Sequence, residues 1–155
     1  MCPRKDDGPL PFQYPEGRLL PLRGIISEEG MRRPDLLDEN DQPCLPVIKS
    51  GTATGVTIGH ATGPFSFVRD EETGETSKAW AILNYDKESD VFSHPGDSGA
   101  AVVNGSGEIG GIITGGTGIF KTSDITYATP MFWLWPRIKS HFPNADLNPT
   151  TMYVS

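Results

Sequence analysis

Residues 96–116, GDSGAAVVNGSGEIGGIITGG, decide how this chain folds. Two apolar runs, Ala101–Val103 and Ile109–Thr114, flank the turn formers Asn104–Gly107. Asn-Gly between apolar runs is a strong hairpin signal, because both residues accept the positive φ of a tight reversal. Ahead of the hairpin stands Gly96-Asp97-Ser98-Gly99, preceded by a polar loop over 89–95. Gly96 and Gly99 allow backbone conformations that strain other residues. The amides of Gly96 and Ser98 can then converge on one point beside the Ser98 hydroxyl, which is how an oxyanion hole is built. Asp97 can bond nearby backbone and hold the loop in shape. The same four residues are ordinary turn composition, so a plain turn is the competing reading.

The β pattern continues outward from this stretch. Upstream lie CLPVIK from Cys44, ATGVTIGH with Val56 and Ile58 on one face, PFSFVR with Phe65 and Phe67, and KAWAILN with Trp80 and Ile82. Downstream lies ITYAT. Turn formers separate them at 61–64, 70–75 and 93–97. Short strands at even spacing predict an all-β barrel or sandwich. Pro130–His141 then predicts a C-terminal helix, with Thr129 as N-cap and Phe132, Trp133, Trp135 and Ile138 on an apolar stripe. Pro136 limits its regularity.

Eight of the 14 prolines fall at or before Pro46, whereas 14 of the 18 glycines lie between Gly51 and Gly118. Residues 1–43 therefore read as a Pro-rich, partly disordered arm, mobile over 1–17. Within it, Arg18–Ile26 is a candidate edge strand limited by Pro21, and Glu28–Asn40 a loop or short helical turn. The barrel domain spans 44–142, and 143–155 form a short tail.

The length of 155 residues fits one domain with an arm. The net charge of −7, with no Lys/Arg cluster, argues against nucleic acid and anionic membrane surfaces as partners. No apolar run approaches the ~20 residues of a spanning helix. The N-terminus lacks a secretory signal, and two cysteines, Cys2 and Cys44, make no disulfide framework, so the expected compartment is the cytoplasm. Cysteines and three scattered histidines lack metal-ligand spacing, so no metal or other cofactor is expected. Gly110–Gly118 lacks the G-K-[ST] of a phosphate loop. The acidic turn Asp70, Glu71, Glu72 and Glu75 lacks the alternation of a calcium loop and reads as solvated. Trp80, Trp133 and Trp135 read as packing residues. The Asn104-Gly-Ser106 sequon is idle without secretion.

The segment Ser93–Gly116 resembles the nucleophile region of chymotrypsin- and trypsin-like serine peptidases. There GDSGG or GDSGS leads into a hairpin and then a strand that binds substrate. KSGTATGVTIGHATG resembles the first hairpin of the same second barrel, in a variant seen in fungal intracellular trypsin-like proteins. The resemblance runs from about Cys44 to His141. It implies a six-stranded antiparallel Greek-key barrel with a C-terminal helix. It also implies Ser98 as nucleophile and an oxyanion hole framed by Gly96, Asp97 and Ser98. Thr114, Gly115 and Gly116 would pair with the backbone of a peptide or protein substrate. Phe92, Asp124 and Thr126 are the nearest matches to a pocket floor, with no specificity assigned.

In that family the general base His and its orienting Asp come from a first barrel. Two such barrels take on the order of 200 residues. Only 95 residues precede Gly96, and 1–43 contain no His. His60 reads as a solvent-facing strand-end residue, His94 as a loop bystander, and His141 as a cation at a helix C-terminus. A serine without a base is a weak nucleophile. The expectation is a peptidase barrel that is incomplete or inactive by itself, its base missing, lost or carried by a partner barrel. The alternative is a silent pseudo-enzyme barrel that binds peptide or protein, or self-associates through its uncovered rim.

Overall fold

The computed structural model of the chain describes residues 20–37, 40–69, 71–85, 90–116 and 125–147. The alternating segments become β3 (Pro43–Gly51), β4 (Gly55–Arg69), β5 (Thr76–Asn84), β6 (Ala101–Asn104), β7 (Glu108–Gly116) and β8 (Ile125–Pro130). Ahead of them come β1 (Gly24–Ile25), α1 (Glu28–Arg32) and β2 (Leu36–Leu37), and α2 (Met131–His141) follows. β3 pairs with β4, β4 with β5, β5 with β8, β8 with β7, β7 with β6, and β6 with β3, all antiparallel. The sheet therefore closes into the six-stranded barrel that the sequence implies.

Period-two alternation sorts the side chains. Val47, Ala61, Trp80, Ile82, Val102, Ile113 and Ala128 fill the interior together with Phe92. Ile48, Val103 and Ile109 face outward and are covered by Met131, Leu134 and Trp135 of α2. Lys49 lies one residue beyond Ile48 and is buried (1% exposed). Pro46 is tolerated because the β6 pairing of β3 covers only Val47–Lys49. The Asn-Gly hairpin forms between β6 and β7. The Asn104 Oδ1 accepts the Ser106 and Glu108 amides, so its side chain is folded into the turn.

The N-terminal segment is more involved than a Pro-rich arm suggests. β1 runs parallel to β7, with Gly24 opposite Glu108 and Ile25 opposite Ile109. The expected short helical turn is α1, capped by Ser27, whose Oγ accepts the Gly30 amide at 3.1 Å. Ile26 and Met31 join the interior cluster, so residues 24–37 pack as part of the barrel. The arm over 1–19 and the tail over 148–155 lie outside the described residues. The two cysteines predict no disulfide framework, yet Cys44 is buried and disulfide-bonded.

The start of α2 corrects another expectation. Its N-cap is Pro130, with φ −61° and ψ 132°, not Thr129. Thr129 still pairs with Ile112, and Pro130 with Gly111, so strand geometry runs one residue further than the sequence suggests. The stripe also turns: Met131 is the buried residue, Phe132 packs on the interior cluster, and Trp133 carries the Arg137 guanidinium 3.5 Å from its ring centroid. Among the described residues no helix is long and apolar enough to cross a membrane.

Candidate active site

The loop from Phe92 to Ala100 joins β5 to β6, and both of its ends are fixed. Phe92 is fully buried; its amide donates to Asn84 Oδ1 at 2.9 Å, and its carbonyl accepts the Thr57 hydroxyl at 2.6 Å. At the exit, the Gly99 amide donates to the Ile113 carbonyl at 2.8 Å and the Ile113 amide to the Ala100 carbonyl at 2.9 Å. Between these ends the backbone reverses sharply. Gly96 takes φ 107° and Gly99 φ 90°, where a Cβ would be strained.

Asp97 is the anchor of the loop. Its carboxylate is 1% exposed and reaches into the tip of the β3–β4 hairpin. Oδ1 accepts the amides of Ala53 at 2.8 Å and Thr54 at 3.3 Å. Oδ2 accepts the Thr54 hydroxyl at 2.6 Å and the His94 amide at 3.0 Å. The Lys49 ammonium stands 3.4 Å from Oδ2, with both side chains fully buried. It also donates to the Gly55 carbonyl at 2.9 Å and to the Thr54 hydroxyl. Burial pushes the Asp97 pKa up; the Thr54 hydroxyl and the His94, Ala53 and Thr54 amides outweigh it and hold the carboxyl well below the usual carboxylate range. Gly51 is needed for this approach, because a Cβ there would lie 2.3 Å from Asp97 Oδ1.

With Asp97 turned inward, Ser98 points outward. Ser98 is exposed, and its hydroxyl makes no hydrogen bond among the described residues. The amides of Gly96 and Ser98 likewise donate to no described group. The Asp97 amide differs from the expectation for it: it donates to the His94 carbonyl at 3.0 Å, so the turn itself consumes it. The expected substrate segment lies in β7. Gly115 pairs with Tyr127 and Gly116 with Thr126 of β8, with an irregularity at Thr114. Thr114 is exposed, and its hydroxyl donates to the Tyr127 carbonyl at 3.4 Å. On the other side of β7 the β6 register ends at Ile112, so no described strand pairs with the far edge of Gly115 and Gly116. A Cβ on Gly115 would meet nothing within 4 Å.

The pocket-floor residues divide. Phe92 is a core residue supporting the loop, Thr126 is buried with its hydroxyl 2.7 Å from Ser93 Oγ, and Asp124 lies outside the described residues. His60 is not at a strand end: it sits within β4, half-buried, between Pro46 and Leu83. His94 is exposed in the loop, and His141 caps α2, donating through Nδ1 to the Arg137 carbonyl at 3.0 Å. No cluster of three metal-ligating side chains occurs among the described residues.

Lys49, Gly51, Thr54 and Thr57 escaped the sequence reading. One signal was present: in VIKSG, period two puts Lys49 on the same face as the apolar Val47, and a charge at a core position must find a partner.

No family model matches the sequence, and no curated protein matches it. Solved structures do match its fold. The Nocardiopsis protease NAPase aligns with a TM-score of 0.50 and 20% identity over 78% of this chain and 51% of that one. The Cellulomonas bogoriensis chymotrypsin gives 0.50, 21%, 79% and 54%. Thermobifida fusca protease A gives 0.50, 22%, 80% and 53%. The barrel thus has the fold of bacterial chymotrypsin-like serine proteases. The chain spans about half the length of these structures. None of the three carries the fungal likeness.

Proposed function

We propose that this chain is the nucleophile-bearing barrel of a serine peptidase. Ser98 is the attacking hydroxyl, and the Gly96 and Ser98 amides stabilise the oxyanion of the tetrahedral intermediate. The free edge of Gly115 and Gly116, with Thr114, takes the substrate backbone as an added antiparallel strand. One observation carries this reading: the exposed Ser98 hydroxyl and the amides of Gly96 and Ser98 bond to no described group, on a loop whose buried Asp97 is held by five polar contacts. The base that activates Ser98 comes from a partner barrel, so the isolated chain hydrolyses peptide weakly.

The test is labelling with a fluorophosphonate, read by intact mass, with Ser98→Ala as control. A Ser98-dependent adduct that forms slowly is expected, because the base is not in this chain. A folded chain that takes up no label, even at high probe concentration, would overturn the reading.

A second reading is a silent barrel that binds peptide at the same edge. It is favoured by the edge of Gly115 and Gly116, which no described strand pairs and which can take a peptide strand whether or not Ser98 reacts. Binding of a peptide aldehyde would separate the two. Affinity that survives Ser98→Ala fits the silent barrel, and affinity that requires Ser98 fits the peptidase.

A further inference from the structure

We propose that Thr54, at the tip of the β3–β4 hairpin, is a positioning residue that sets the Gly96 and Ser98 amides through Asp97. Thr54 does not approach Ser98 in sequence; 43 residues separate it from Asp97. Its hydroxyl is placed between a cation and an anion. It accepts from the Lys49 ammonium and donates to Asp97 Oδ2 at 2.6 Å. A hydroxyl has one proton and two lone pairs, so this pair of bonds fixes its rotor in one orientation. The Thr54 amide adds a third contact, to Oδ1 at 3.3 Å.

The charges alone do not provide this orientation. The Lys49–Asp97 contact is 3.4 Å, longer than an ordinary charge-assisted hydrogen bond. The short link runs through Thr54. Asp97 stands between the two amides of interest, and its own amide closes the turn onto His94. Loss of the carboxylate's hold would therefore loosen the turn that Asp97 closes onto His94, and with it the Gly96 and Ser98 amides on either side. Gly51 leaves no room for the carboxylate to retreat toward β3, since even a Cβ there would overlap Oδ1. Lys49 and Gly51 set where the carboxylate sits, and Thr54 sets which way its oxygens face.

The catalytic consequence rests on the serine-peptidase reading; the structural consequence does not, and the experiment separates them. Thr54→Val, nearly isosteric, removes the hydroxyl, and Thr54→Ser keeps it. 15N order parameters are read for Gly96 and Ser98, and amide hydrogen exchange for the hydrogen-bonded Asp97 and Gly99, with Val47, Val102 and Ala128 as barrel references. The expected result is that Thr54→Val lowers order at Gly96 and Ser98 and speeds exchange at the Asp97 amide while the barrel references stay unchanged, and that Thr54→Ser restores both. Where the wild-type chain takes a fluorophosphonate, Thr54→Val should slow the first-order labelling step by about 10- to 100-fold. Reversible probe binding should change little. Wild-type chain that is never labelled counts against the peptidase reading, while the amide measurements still decide the role of Thr54. Unchanged loop amides in Thr54→Val overturn the proposal. Should that variant not fold, Thr54→Ala replaces it; failure of both would make Thr54 a barrel residue and overturn the proposal equally.

Discussion

Lys49 and Asp97 show what a single buried charge asks of its surroundings. Each carries a full charge where water is absent, and each is satisfied by the other and by the hairpin tip. Removing one partner of a buried pair typically costs about 3–5 kcal/mol, because the other is left uncompensated. That is a large share of the ~5–15 kcal/mol that holds a domain together. Lys49→Met and Asp97→Ala should each lower stability by about 3–5 kcal/mol in urea unfolding. Their combination should cost clearly less than the sum, and strict additivity would show that the two do not interact. The pH dependence has a defined sign. The Asp97 pKa is depressed in the fold, so its contribution is complete above the ordinary carboxylate range and is lost as pH falls through its own lower value. Asp97→Asn should therefore flatten the acid limb of the stability–pH curve. The role of Asp97 in holding the loop was legible from its place in Gly-Asp-Ser-Gly. Its partners were not, because the register of a hairpin more than 40 residues away creates them.

At the scale of elements, local signals were read well and tertiary ones poorly. The β6–β7 hairpin was legible because Asn104, Gly105 and Gly107 encode it within four residues. β1, α1 and β2 were obscured by proline, although Ile26 and Met31 belong to the interior. What fastens α1 is a contact no local pattern reveals. The Lys78 ammonium lies 4.7 Å and 5.0 Å from the ring centroids of Phe65 and Phe132, and 3.1 Å from Glu28 Oε1. The two rings meet edge to face at 5.6 Å. Cation–π contacts at a largely desolvated site contribute on the order of 1–2 kcal/mol. Lys78→Ala should destabilise the chain by about that amount, and by thermal unfolding Lys78→Arg should recover part of it. Glu28 is held below its usual carboxylate range by the hydrogen bond from Lys78 first and Arg32 second. The tether it makes between α1 and Lys78 of β5 is accordingly complete above that range and weakens as pH falls through the lowered value. Limited proteolysis across pH should show residues 28–37 opening on acidification before the barrel does. Simultaneous cleavage throughout would show that α1 and the barrel unfold as one.

Across the whole molecule, closure of the barrel removes most of the open sheet edges that promote aggregation, the far edge of Gly115 and Gly116 excepted, but apolar side chains stay exposed on one outer face. Pro46, His60, Leu83 and Ile125 lie side by side across β3, β4, β5 and β8, opposite in sense to the inward Ala61, Ile82 and Thr126. Val56 and Ile58 extend this outward row along β4, 56% and 41% exposed, beside the covered Ile48. α2 covers the Ile48 side and stops short of them. The fold was legible because barrel strands alternate in sequence. No general base was legible, because where the histidines lie depends on how strands and loops are placed, and none of the three donates to or accepts from Ser98 among the described residues. The exposed end of this row, at Val56 and Ile58, favours association with another surface. Light scattering on the purified chain should give a mass above its own 16.8 kDa that rises with concentration. Ile58→Glu, with a charge placed in the middle of the row, should return the mass to that of one chain without altering the far-ultraviolet circular dichroism. A chain that is monomeric at every concentration would show that this face needs no cover, and a partner barrel of the proposed peptidase would then have to dock elsewhere, on the side that carries Ser98.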